Sequence, residues 1–156
     1  MRIFVSSLNV PIGYTTPRFP SLYLPLGHHK PQYESLFLYY TSDIWKYTVY
    51  WSLILVGAFF LVSGTVAAFN HFVSNHRYSF KTQRSYSIIE SLMIVLFYFV
   101  IGLSQGFISG AIIGLIILAI YKAGSLSMST WIPFCWGAAQ ILYHIASSYL
   151  TSLVIL

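Results

Sequence analysis

The chain has 156 residues, of which 57% are hydrophobic and only 7% charged, with a mean hydropathy of +0.72. A soluble domain of this size carries about 25% charged residues, so this composition excludes an ordinary water-soluble fold and points to an integral membrane protein. Eight basic residues outnumber the three acids Glu34, Asp43 and Glu90; in such a chain the excess sets orientation in the bilayer rather than binding nucleic acid.

Residues 1–41 read as an irregular, luminal or interfacial segment. Pro11, Pro17, Pro20 and Pro25 interrupt any helix there, and no long apolar run marks a secretory signal. The stretch from Pro31 to Trp45, "PQYESLFLYYTSDIW", mixes aromatics with two acids and suits the headgroup region.

Residues 42–156 read as a membrane domain with three transmembrane helices, at about 47–70, 88–121 and 132–155, giving an all-α integral membrane fold. Tyr47 to Asn70 contains no charge. Ser42 is the expected cap, with Asp43 beside the helix N-terminus. Residues 71–87 form a polar connection carrying Arg77, Lys81 and Arg84, expected to face the cytosol and its anionic lipid headgroups. The second apolar run, Ile88 to Tyr121, is too long for one perpendicular crossing and too short for two. One long, tilted helix is expected, since no proline or Asn-Gly pair marks a reversal. Ser87 and Glu90 have capping-box spacing, which gives Glu90 a local role in place of a proton relay. Thr130 is the expected cap of the third span, with Pro133 in its first turn. All four tryptophans, at 45, 51, 131 and 136, fall near the starts of spans one and three, on one membrane face. Arg77, Lys81 and Arg84 in the connection are matched in number by Lys30, Lys46 and Lys122 on the other face, and the density of the three in the 71–87 connection is taken to place the N-terminus in the lumen.

"GLSQGFISGAIIG" carries Gly102, Gly106, Gly110 and Gly114 with Gln105 and Ser109 among them. Glycine costs a helix up to about 1 kcal/mol relative to alanine, but in lipid small residues let backbones approach closely. The stripe is expected to receive span three, whose Gln140, His144, Ser147, Ser148 and Thr151 share one helical face. Counted from their ends, Gln105 and Gln140 both fall in the luminal half, so a Gln105–Gln140 hydrogen bond is expected. The candidate packing or partner/lipid face is therefore Gly102, Gln105, Gly106, Ser109, Gly110, Gly114, Gln140, His144 and Ser148. His144 is the intramembrane ionisable residue, expected as a neutral imidazole bonded to a nearby glutamine or serine.

Chemistry is sparse. Cys135 and His144 lie on opposite sides of one helix and form no dyad. His28, His29, His71 and His76 lack the ligand companions of a metal site. No phosphate loop and no carboxylate pair is present, so no cofactor and no enzyme activity are expected.

The stretches "SDIWKYTVYW", "SGTVAAFNH", "GFISGAIIGLIILAIYKAG" and "WIPFCWGAAQ" resemble the transmembrane protein 170 family, in a fungal-like version, over residues 42–156. The resemblance implies three spans, a luminal N-terminus and residence in the endoplasmic reticulum and nuclear envelope. It further implies a role in shaping those membranes and partnership with a large bridge-like lipid transfer protein. The reading is thus a non-enzymatic partner subunit supporting phospholipid transfer and membrane organisation. Two rivals are a membrane-shaping protein that self-associates through its glycines and a small transporter or enzyme subunit using His144.

Overall fold

A computed structural model describes residues 10, 12–22, 37–78 and 84–154. Three helices dominate it: α1 (Thr41–Tyr78), α2 (Arg84–Ala123) and α3 (Trp131–Val154). A two-residue strand, β1 (Phe37–Leu38), pairs antiparallel with β2 (Met128–Ser129), Phe37 opposite Ser129 and Leu38 opposite Met128. Two of the helices, α1 and α2, are long and apolar enough to cross a membrane, over Thr41–Ser74 and Ile88–Ala123. The third, at 24 residues, interrupts its apolar surface with Gln140, His144, Ser147 and Ser148.

Both long helices outrun the spans expected from the sequence. α1 starts at Thr41, with the Tyr40 carbonyl accepting from the Ile44 N–H at 3.2 Å. Ser42 therefore lies inside the first turn rather than capping it. α2 begins at Arg84, so Glu90 sits beyond the first turn and faces His71 of α1 at 3.9 Å, in place of the capping box. It continues unbroken for 40 residues, because nothing in it removes a backbone donor or competes for one. At α3, Ser129 Oγ accepts from the Trp131 N–H at 3.4 Å, while the Thr130 hydroxyl turns away to donate to the Ser21 carbonyl at 3.0 Å.

Both α2 and α3 pack on α1, and direct α2–α3 contact is slight. The α2 glycines account for the closest approach. Gly102 abuts Phe60, Gly106 the backbone of Ser52 and Leu53, Gly110 Ser52 and Val49, and Gly114 Trp45 and Thr48. A Cβ on Gly110 would fall 2.7 Å from that of Ser52. The stripe thus meets α1, not span three as expected. α3 brings its own small residue, Gly137, to Leu55 and Trp51 of the same helix.

The most buried cluster lies at one end of the bundle. Leu38, Ile44, Tyr47, Ile117 and Met128 form it, with Phe19, Leu118 and Ile132 packed around them. Residues 12–22 fold over this end as a cap. Tyr14 donates to the Phe37 carbonyl at 2.7 Å, and the Tyr47 hydroxyl donates to the Pro17 carbonyl. Phe19 lies against Tyr47, Tyr50 and Trp51. The segment read as irregular is therefore tied down where described, by aromatic edges and backbone carbonyls rather than by a helix.

Candidate functional site

Because α2 and α3 both lean on α1, a cleft opens between them. It has a volume of about 270 Å³. α2 contributes Gln105, Ser109 and Ile113 to its wall, and α3 contributes Trp136, Ala139, Gln140, Tyr143 and His144.

Gln140 is the strut of the cleft. It is buried, and its amide spans all three helices. Its Nε2 donates to Ser52 Oγ of α1 at 3.1 Å, and its Oε1 accepts from Ser109 Oγ of α2 at 3.1 Å. The single Ser109 hydroxyl proton is shared between Gln140 Oε1 and the Gln105 backbone carbonyl, 2.8 Å away. A buried amide without partners would cost several kcal/mol in an apolar setting, so these bonds fix both its rotamer and the spacing of the helices.

The expected Gln105–Gln140 bond does not form. Ser109 lies one turn beyond Gln105 and meets Gln140 first. The Gln105 carboxamide instead faces the cleft, exposed, and makes no hydrogen bond among the described residues. His144 departs from expectation in the same direction. Its ring stacks on Phe59 with centroids 6.5 Å apart, and meets Phe60 and Tyr143 edge-on. Its imidazole nitrogens have no hydrogen-bond partner among the described residues, where a glutamine or serine was expected. Ser148 is exposed and donates to the Ile145 carbonyl of its own helix at 2.7 Å. The cleft therefore unites Gln105, Ser109, Gln140 and His144 and excludes the buried glycines at 102, 106, 110 and 114, which all face α1.

Ser52, which completes the Gln140 bridge, was not singled out from the sequence. Its signal was present: a small hydroxyl one turn from Thr48 and one from Val56, on the face of α1 that carries the closest contacts.

Among the described residues, formal charge lies in the cap, at Arg18, and toward the ends of the helices. Arg77 lies in the last turn of α1 and Arg84 opens α2, while Lys81 falls outside the described residues. At the other end, burial pushes the Tyr14 phenol up to about 12, with the Asp43 carboxylate adding to the shift. No group of three or more His, Cys, Asp or Glu that could hold a metal occurs among the described residues.

Two long apolar helices wrapped around small-residue contacts, with uncharged polar groups in an interhelical cleft, define a helical membrane protein. The transmembrane protein 170A/B-like family model matches residues 37–156, and the chain belongs to that family. An uncharacterized protein of Saccharomyces cerevisiae is 41% identical over 149 residues, covering 96% of this chain and 95% of its own length. No solved structure matches.

Proposed function

We propose that the chain is a three-span, non-enzymatic protein of the endoplasmic reticulum membrane, extending to the nuclear envelope. In this reading it is the partner subunit of a large bridge-like lipid transfer protein and supports phospholipid transfer and organisation of those membranes. Family membership supports the membrane setting. The observation that carries the lipid role is the cleft, which presents the unbonded polar side chains Gln105 and His144 on an otherwise apolar surface.

α3, at 24 residues and about 36 Å, is long enough to be the third span of a hydrocarbon core about 30 Å thick. The capped end then faces the lumen. The end carrying Arg77 and Arg84 faces the cytosol, where each basic residue contributes about 1 kcal/mol of attraction to anionic lipids.

Gentle-detergent purification of the tagged chain, followed by mass spectrometry, tests the reading. Co-purification of a very large lipid transfer protein in stoichiometric amount supports it; recovery of the chain alone overturns it. The second outcome favours membrane shaping, which has its own structural support. The apolar stretches of α1 and α2, 34 and 36 residues long, reach about 51 and 54 Å against a core of about 30 Å. Such helices must tilt steeply or thicken the bilayer around them.

A further inference from the structure

We propose that the cleft between α2 and α3 binds a neutral lipid headed by a hydroxyl or an amide, and holds that head near the bilayer centre. The proposal rests on α3 crossing the membrane, and it names the ligand class for the site that supports the lipid role.

Depth comes first. Gln105 lies 17 residues after Ile88 and 18 before Ala123, about 26 Å from either end of the apolar stretch. Gln140 lies nine residues, about 14 Å, from the start of α3. Both glutamines therefore sit far from either headgroup region.

The second argument is hydrogen-bond demand. The Gln105 carboxamide offers two donors and a carbonyl acceptor, and the His144 imidazole offers two ring nitrogens that can hydrogen-bond. Neither side chain has a partner among the described residues, and both line the same cleft. An unmet amide in hydrocarbon is costly, and a polar group entering from the lipid would satisfy it.

Charge decides the ligand class. Among the described residues no Asp, Glu, Lys or Arg lines the cleft, so a phosphate or ammonium head would meet no carboxylate, lysine or arginine there. A hydroxyl or secondary amide both donates and accepts, which matches what the two side chains lack. Size agrees: the cleft has a volume of about 270 Å³. That room takes a head and the first part of an apolar body, whose remainder would lie along Tyr143 and Trp136 in the bilayer. Sterols, diacylglycerols and ceramides share this chemistry.

The test uses the purified full chain in phosphatidylcholine nanodiscs with photoactivatable, clickable probes: a sterol, a diacylglycerol, a ceramide, and phosphatidylcholine as the charged-head control. At least one neutral probe should label residues 105–113 or 136–144 above the phosphatidylcholine probe and be competed by its unlabelled counterpart; which one does so identifies the source. Gln105→Leu and His144→Phe should each lower labelling roughly fivefold, the worth of one hydrogen bond. Ala139→Phe, which keeps every polar group but fills the cleft, should abolish it. Labelling no stronger than the phosphatidylcholine probe, labelling mapped elsewhere, or labelling unchanged in these variants overturns the proposal. So does disulfide capture of two copies through Gln105→Cys, which would make a second chain the occupant. Thermal unfolding shows which variants keep the fold, and the wild-type labelling map decides independently of them. Recovery of the large transfer protein without neutral-lipid labelling would remove this site while leaving the functional reading in place.

Discussion

Gly57 and Gly110 are alike in sequence, each a glycine in the apolar middle of a long helix, and the structure predicts opposite outcomes for replacing them with alanine. At Gly110 the new Cβ would lie 2.7 Å from Ser52 Cβ, 3.0 Å from its Oγ and 3.3 Å from the Val49 Cα. Relief to ordinary contact near 3.6 Å moves Ser52 or the helix by almost 1 Å, an overpacking cost of about 1–3 kcal/mol. The same movement stretches the 3.1 Å bond from Gln140 Nε2 to Ser52 beyond hydrogen-bond range, adding about 0.6 kcal/mol. Against this stands a helix-propensity gain of about 1 kcal/mol. The net expectation for Gly110→Ala is a loss of roughly 0.6–2.6 kcal/mol. At Gly57 the only neighbour is the Leu103 Cδ2 at 3.4 Å, the far end of a flexible side chain, so Gly57→Ala keeps most of the propensity gain. Unfolding of the purified variants in mild detergent, by heat or by titration with a denaturing detergent, gives the two differences. If both variants gain stability, the glycine stripe does not pack against α1 as described. If both lose it equally, the cost comes from the helix backbone and not from the Ser52 contact.

Gln140→Leu deletes the bonds to Ser52 and Ser109 while conserving most of the volume. It should cost about 1 kcal/mol, two bonds at ~0.6 kcal/mol each, in the same unfolding assay, and an unchanged midpoint would show that the strut is dispensable. Tyr14 predicts a pH window. Its proton is held more tightly in the folded chain, about 12 against 10. Its contribution to the cap is therefore whole below pH 10 and lost as pH rises toward 12. Near-ultraviolet circular dichroism between pH 9 and 12, compared with Tyr14→Phe, should show a cap transition that the variant lacks. Cys135 is exposed at the start of α3. Under the proposed orientation, an impermeant maleimide should modify it in sealed microsomes only after the lumen is opened.

Element existence was legible because it depends on composition and period. The charge-free run from Tyr47 and the absence of breakers between Ile88 and Tyr121 suffice to require long helices. Helix ends were less legible, because polar residues such as His71, Asn75 and Ser87 continue a helix as readily as they stop one when a neighbouring helix supports it. The glycines announced a close contact without saying with which helix: their neighbours on α1 run from Trp45 through Thr48, Val49, Ser52, Leu53 and Val56 to Phe60 and include no glycine, while the α1 glycines that do meet α2, Gly57 and Gly64, lie against Leu103 and against Tyr98 and Val95. Gln105 and Gln140 stand out in the sequence as polar groups in an apolar setting, and both line the cleft. Their mutual bond was not correct, because rise per residue fixes depth along an axis but not rotation about it. Nothing in the proline-punctuated N-terminus indicated that Tyr14, Pro17, Phe19 and Ser21 would close one end of the bundle, since those contacts run to backbone carbonyls and ring edges 23–109 residues away.

The cleft follows from how this bundle divides its contacts. Had α2 turned its glycines toward α3, as the sequence invited, the two helices would have met backbone to backbone, with no room between them. By giving those glycines to α1, and by seating Gly137 of α3 on α1 as well, the chain makes α1 the shared spine. α2 and α3 become two arms bridged across the cleft by the Ser109–Gln140 bond. The length of Gln140, anchored at both ends of its amide, then sets the gap. A shorter residue would let the arms close or lose the bridge, and an apolar one would leave Ser52 and Ser109 to bond their own helices. The cap holds the arms together at the end where Leu38 and Met128 are fully buried. Away from the cap the long apolar stretches of α1 and α2 continue side by side, joined by the glycine contacts. The cleft thus lies beside the glycine contacts and not within them, a place where a lipid head could enter from the bilayer without unpacking what holds the long helices together.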